Sequence, residues 1–212
     1  MNRQKFILSL TLGIVPALAS AKRALNFLGQ GPVGGGCDGC DLMYEGTPAK
    51  MSNTTYLPGW SEGDKKMIVE GTVYHKDKRT VASNVIVYLY HTDSDGHYSP
   101  APGQVNGKRH GHIRGWIKTG SDGRYKFYTT MPAAYPERNN PAHIHPVIKE
   151  PGINEYYIDE YQFDDDPLLT TQLRNKAENR GGNGIVKLTK NSDGLLVCKR
   201  DIILGLNIPN YR

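Results

Sequence analysis

Ile113-Arg114-Gly115-Trp116-Ile117-Lys118-Thr119-Gly120-Ser121-Asp122-Gly123-Arg124-Tyr125-Lys126-Phe127-Tyr128-Thr129-Thr130 decides the fold class. Two runs rich in β-branched and aromatic residues flank a Gly-Ser-Asp-Gly turn. In the second run Tyr125, Phe127 and Thr129 alternate with Arg124, Lys126 and Tyr128, which predicts a strand with one buried face. The turn chemistry predicts a hairpin joining the two.

The same grammar extends both ways. Upstream, Met67 to Tyr74 and Val85 to His91 read as strands, and Thr92-Asp93-Ser94-Asp95-Gly96 as a turn. Downstream come a strand through His143, another over Tyr156 to Phe163, and a final pair, Gly184 to Leu188 and Leu195 to Cys198, joined by the turn Asn191-Ser192-Asp193-Gly194. Short strands separated by Gly/Asp turns predict an all-β fold, an antiparallel or mixed β-sandwich. One short helix is expected in the C-terminal half. Asp166 would cap it, Pro167 would open it, Leu168 to Glu178 would form it and Gly181-Gly182 would end it. The acidic run Asp164-Asp165-Asp166 is read as a cap with solvated neighbours in preference to a cation site.

The chain has 212 residues, enough for one well-buried core and short for two. Residues 1–21 read as a secretory signal peptide: basic Asn2-Arg3-Gln4-Lys5, apolar Phe6 to Leu18, then small Ala19-Ser20-Ala21. Export is therefore expected. A stable membrane anchor is not, because the apolar run is too short to span a bilayer. Residues 22–65, rich in Gly, Pro, Ser, Thr and Asn, read as an irregular N-terminal arm, and residues 66–212 as the sandwich domain. The net charge of +5 falls to about +3 without the signal, and no basic stripe interleaved with aromatics is present, so nucleic acid is not an expected partner. Nothing in the pattern points to an oligomeric state. Cys37 and Cys40, three apart in the arm, form a disulfide with each other or one of them pairs with Cys198. No helical pattern follows to suit a redox Cys-x-x-Cys, and a four-thiol zinc site lacks its fourth cysteine.

Pro141-Ala142-His143-Ile144-His145 is the densest chemical signal. On an extended strand His143 and His145 share a face and Ile144 points the other way. Pro141 biases Asn140 toward extended backbone, which stiffens the approach. Two same-face imidazoles make half of a metal site. A His-x-His pair alone is more often ordinary polar structure than a ligand pair. His110-Gly111-His112 repeats the spacing in a Gly/Lys/Arg-rich loop, and is read as solvated and without a metal role.

Taken together, Gly115-x-x-x-Thr119, Asp122-Gly123-x-Tyr125-x-Phe127-x-Thr129-x-x-Pro132, Tyr135-Pro136 and Pro141-Ala142-His143-Ile144-His145 resemble the intradiol ring-cleavage dioxygenases, the family of protocatechuate 3,4-dioxygenases and catechol 1,2-dioxygenases. The resemblance covers roughly Lys66 to Leu169. It implies a non-haem Fe(III) ion held by Tyr98, Tyr135, His143 and His145, with a catechol-type aromatic and O2 as the small-molecule partners. It also implies a catalytic role for Tyr135, the tyrosine that would leave the metal and take up a catechol proton. Tyr88, Tyr90, Tyr125 and Tyr128 are read as packing residues. Two positions depart from the family pattern. Asn140 stands where an arginine is usual, with Arg138 two residues earlier, and Glu160 stands where a glutamine is usual. These three are the candidate substrate-binding residues. Two other readings compete: an exported metal-binding sandwich with little or no turnover, and a sandwich whose tyrosines and histidines are structural.

Overall fold

The computed structural model describes residues 31–61, 65–103 and 109–212. The expected signal peptide lies outside the described residues. Among the described residues, two sheets of six strands each form the sandwich. The strands are β1 (Thr54–Tyr56), β2 (Lys66–Tyr74), β3 (Ile86–His91), β4 (Arg114–Lys118), β5 (Arg124–Thr130), β6 (His143–Lys149), β7 (Tyr156–Tyr157), β8 (Tyr161–Phe163), β9 (Ile185–Val186), β10 (Leu188–Lys190), β11 (Leu196–Lys199) and β12 (Ile202–Ile203). The first sheet runs β1-β5-β2-β11-β10, with β12 also on β2, and the second runs β4-β3-β6-β8-β9, with β7 on β6. Both are mixed: in the first β1 lies parallel to β5 and β11 parallel to β2, whereas β2 and β5 are antiparallel, and in the second β9 lies parallel to β8, whereas β3 and β6 are antiparallel.

Alternation decides which side chains meet between the sheets. Tyr125 and Phe127 of β5, Val69 of β2, Val87 and Leu89 of β3, and Ile144 of β6 are buried in one cluster. A large apolar side chain fully buried in this way contributes roughly 1.5–3 kcal/mol each. The turn Gly120 to Gly123 does not close a hairpin. β4 belongs to the second sheet and β5 to the first, so the turn carries the chain across the sandwich. The reason lies in the partners: β5 pairs along its whole length with β2, from Lys66↔Thr130 to Thr72↔Arg124.

The second sheet's outer face is covered as well. Tyr88 and Val147 pack there against Cys40 and Met43 of the N-terminal arm, forming a separate small core. The Trp116 indole donates to the Met43 carbonyl at 2.6 Å, and Arg114 donates to the Glu45 carbonyl at 3.2 Å. Cys37 and Cys40 are joined in a disulfide, and Cys198 is a free, buried thiol whose burial pushes its pKa up to about 12. The described part of the arm is largely irregular, with short 3-10 turns, and contributes β1.

The helix is shorter than its sequence suggests. It is α1 (Thr171–Asn175), capped by Thr170, whose hydroxyl accepts from the Leu173 amide at 3.3 Å. Asp166 is not its cap: one carboxylate oxygen accepts from the Leu168 amide at 2.8 Å, the other from the Ala142 amide at 2.7 Å. Its carboxylate thus ties the turn after β8 to the start of β6. Among the described residues no helix is long and apolar enough to cross a membrane.

Candidate metal centre

β6 presents both histidines of the Pro-Ala-His-Ile-His run on the outer face of the second sheet, while Ile144 is fully buried between the sheets. Two loops bring the tyrosines. Tyr98 follows the Asp93–Gly96 turn after β3, and Tyr135 lies between β5 and β6. These loops are joined: the Thr92 hydroxyl donates to the Ala133 carbonyl at 2.7 Å, and the Ala133 amide donates to the Asp93 carbonyl at 3.1 Å. Asp93 organises the first loop, its Oδ1 accepting from the Asp95 and His97 amides at 3.0 Å each. Gly96 has φ +83°, and a Cβ there would sit 2.1 Å from the Ala134 carbonyl oxygen, so the close approach of the two loops requires glycine.

The four side chains meet at their polar tips. The Tyr98 and Tyr135 hydroxyls share a hydrogen bond of 2.8 Å. The Tyr135 hydroxyl lies 3.1 Å from His143 Nε2 and 3.5 Å from His145 Nε2, and the two Nε2 atoms are 3.0 Å apart. Each imidazole is oriented from behind. His143 Nδ1 faces the Pro141 carbonyl at 2.7 Å, and His145 Nδ1 faces Glu160 Oε1 at 3.1 Å. Both acceptors assign the proton to Nδ1, so both Nε2 lone pairs point into the cluster. Tyr135 has one proton to give to two such lone pairs, which leaves one imidazole nitrogen facing its neighbour without a donor. A cation at this point would satisfy both nitrogens and both phenol oxygens. The donor set therefore fits a metal ion. Its two hard oxygens, anionic once bound, offset the charge of a ferric ion better than two neutral donors would.

Burial sets the charge states. It raises the Tyr98 pKa far above the usual phenol range, with the Tyr135 hydrogen bond adding to it, and it raises Tyr135 as well. Burial lowers His143, which keeps it neutral and able to ligate. Burial pushes Glu160 upward too, but the hydrogen bond from His145 and the nearby imidazoles outweigh it and leave the pKa below its ordinary value. His143, His145 and Glu160 each offer an atom within 4.8 Å of the others, a spacing open to a three-residue cation site. Glu160 Oε1 is already engaged with Nδ1, the ring nitrogen that points away from the cluster, so we assign it as the partner behind His145 and not as a ligand.

Of the remaining candidates, Arg138 lines an open cavity of about 520 Å³ beside Tyr98 and Tyr135, its guanidinium 5.8 Å from the Tyr135 ring centre. Asn140 is exposed and outside the cluster. The His110-Gly111-His112 pair is not solvated as expected. His110 is buried, its Nδ1 is 3.0 Å from the Tyr88 hydroxyl, and its ring stacks on Tyr90 at 3.6 Å. Tyr90 in turn stacks on His145 at 4.6 Å and 15°. Tyr90 thus braces a ring of the cluster, a role that its reading as a packing residue missed. The register held the signal: Tyr90 is paired with His145 across β3 and β6, so both occupy the same face.

A family model described as a dioxygenase matches residues 40–200. The chain is 27% identical over 164 residues to a catechol 1,2-dioxygenase of Acinetobacter lwoffii, covering 62% of this chain and 51% of that protein. It is 35% identical over 124 residues to a 6-chlorohydroxyquinol 1,2-dioxygenase of Cupriavidus pinatubonensis, covering 51% of this chain and 43% of that protein. The chain thus spans about half the length of these curated relatives. Among solved structures, the dioxygenase domain of a dioxygenase and carbohydrate-binding protein fusion from Streptomyces sp. SirexAA-E aligns with a TM-score of 0.53 at 21% identity, covering 76% of this chain and 94% of that one. A 3-chlorocatechol 1,2-dioxygenase from Rhodococcus opacus aligns with a TM-score of 0.56 at 17% identity, covering 88% and 77%. These structural likenesses speak to the fold.

Proposed function

Because the chain belongs to the intradiol ring-cleavage dioxygenase family, we propose that it inserts both atoms of O2 between the two hydroxylated carbons of a catechol-type ring, giving a muconate-type diacid. The observation that carries the proposal is the convergence of Tyr98, Tyr135, His143 and His145, whose polar tips meet at 2.8 to 3.5 Å. These four would hold the iron. Bound there, a ferric ion supplies the Lewis acidity and the redox chemistry that let an oxygenated ring react with O2.

The protein's own share is positioning and proton handling. His143 and His145 are fixed by the Pro141 carbonyl and Glu160, so neither ring can turn its Nε2 away. Tyr98 is half-buried behind the Asp93 turn and serves as the fixed phenolate. Tyr135 lines the same cavity as Tyr98 and is the less buried of the two, and we assign its phenol oxygen as the group that receives a catechol proton as the substrate enters. Arg138 at the mouth supplies positive charge beside it. The basic, apolar and small segments of residues 1–21, together with the Cys37–Cys40 disulfide, support export.

The test is a visible spectrum of the iron-loaded protein, followed by oxygen uptake with catechol under air. A reddish protein that consumes O2 and yields a ring-opened diacid is expected. A colourless protein that takes up no iron would overturn the ferric-tyrosinate site. A coloured protein that consumes no O2 with any catechol would overturn the dioxygenase activity and favour a metal-binding module.

A further inference from the structure

The partner behind His145 carries more than a hydrogen bond needs. A neutral amide oxygen would accept from Nδ1 as well as Glu160 Oε1 does at 3.1 Å. A carboxylate adds a full negative charge, and among the described residues no lysine or arginine forms an ion pair with it. The one guanidinium seen at the cavity beside Tyr135 belongs to Arg138, which is exposed and therefore screened by water. Glu137 lines the same mouth as Arg138, and Lys176 lines an open cavity with Glu160 but forms no ion pair with it, so the charge that directly touches the cluster is the Glu160 carboxylate behind His145.

We propose that Glu160 is a specificity-determining residue that makes this site favour uncharged catechols over catechols whose ring carries a carboxylate. The inference rests on the dioxygenase reading above. A catechol that reaches the four donor atoms with its two ring oxygens brings a ring substituent to within roughly 8–12 Å of the Glu160 carboxylate. Like charges at that separation, with an effective dielectric of about 20, weaken binding by about 10–30-fold. Glutamine at this position would keep the hydrogen bond to His145 and remove the charge.

The iron-loaded protein is titrated without oxygen, and the visible band reports binding before any turnover. The probes are catechol, 3,4-dihydroxybenzoate and the methyl ester of 3,4-dihydroxybenzoate. In the unaltered protein the ester should bind about 10–30-fold more tightly than the acid. Glu160→Gln should close most of that gap by tightening the acid, with catechol and ester changed less than about threefold. Arg138→Gln should move the acid the other way by a smaller factor. An acid-to-ester ratio near one in the unaltered protein would overturn the inference, and so would a ratio unchanged in a coloured Glu160→Gln protein. Loss of colour and of catechol binding in the unaltered protein would overturn the dioxygenase reading, and the inference with it.

Discussion

Gly96→Ala should cost more than backbone strain, because the added methyl would drive the two tyrosine loops apart. Gly96 has φ +83°, and its new Cβ would lie 2.1 Å from the Ala134 oxygen and 3.0 Å from Pro136 Cδ. Real contacts of that kind are rarely under about 3 Å, so the loops must separate by roughly 1 Å. The separation falls between Tyr98, two residues beyond Gly96, and Tyr135, the neighbour of Ala134, whose hydroxyls now sit 2.8 Å apart. Gly152→Ala is the built-in control, since Gly152 has φ +74° and a Cβ there would meet nothing within 4 Å. The control isolates the strain of a left-handed alanine, about 1–2 kcal/mol. That should lower the melting temperature by roughly 2–8 °C. Gly96→Ala should fall further, and should lose turnover by about 100-fold, the usual scale for a 1 Å displacement of reacting groups. Melting curves, iron stoichiometry and oxygen uptake on both variants check this. A Gly96→Ala protein that matches Gly152→Ala in melting temperature and keeps full iron and activity would refute the reasoning.

Two further expectations concern histidines outside the cluster. His91 is fully buried and neutral: its Nδ1 donates to the Thr92 carbonyl and its Nε2 accepts from the Thr129 hydroxyl, both at 2.7 Å, and burial pushes its pKa down to about 4. The unfolded chain takes up that proton near the ordinary value of about 6.5, so His91's contribution is complete above that pH, falls as pH drops toward about 4, and changes no further below it, about 3 kcal/mol in all. Denaturant unfolding between pH 7.5 and 4 should show this slope in the parent and lack it in His91→Gln; identical slopes would contradict it. His110→Ala should lower stability by about 2–4 kcal/mol, because it opens a void against Tyr90 and removes the imidazole partner of the Tyr88 hydroxyl, while the folded variant keeps its iron stoichiometry. A melting temperature within 1–2 °C of the parent would count against that packing role.

Most strands were legible because alternation of apolar and polar residues is a local signal. Arg124 to Thr130 and the His143 strand form where their patterns predict. What escaped the sequence depends on partners far along the chain. The Gly120–Gly123 turn has hairpin chemistry, yet β5 takes β2 as its antiparallel neighbour, a pairing that no local residue announces. His110 looks solvated among Gly, Lys and Arg, but Tyr90 and Tyr88 enclose it on the face that the arm covers. Asp166 has the chemistry of a helix cap, and Ala142 competes successfully for its carboxylate. Cys198 could be paired on paper, whereas in the fold it sits in the core between sheets and the arm cysteines pair with each other. His143 and His145 were readable as a same-face pair from strand geometry, but their union with Tyr98 and Tyr135 into one donor set was readable only through resemblance. Tyr98 and Tyr135 sit on loops, where no periodicity reports direction, and their meeting point is set by Gly96 and by bonds between the two loops.

The pairing of β2 has a consequence for the order in which the molecule can be completed. On one edge β2 meets β5, soon after it in the chain; on the other it meets β11 and β12, from the far end. Every strand that carries or braces the four donor atoms has left the ribosome by Phe163, so the metal-bearing sheet lacks only its β9 border at that stage. The opposite sheet still has an open, apolar strand at its middle. Until Leu196 to Ile203 arrive, β2 offers unpaired backbone to any neighbouring chain. These strands are therefore the latch of the first sheet: a truncation before Leu196 would leave β2 open to aggregation and would also remove the Arg200 guanidinium that holds the Asp159 carbonyl beside Glu160.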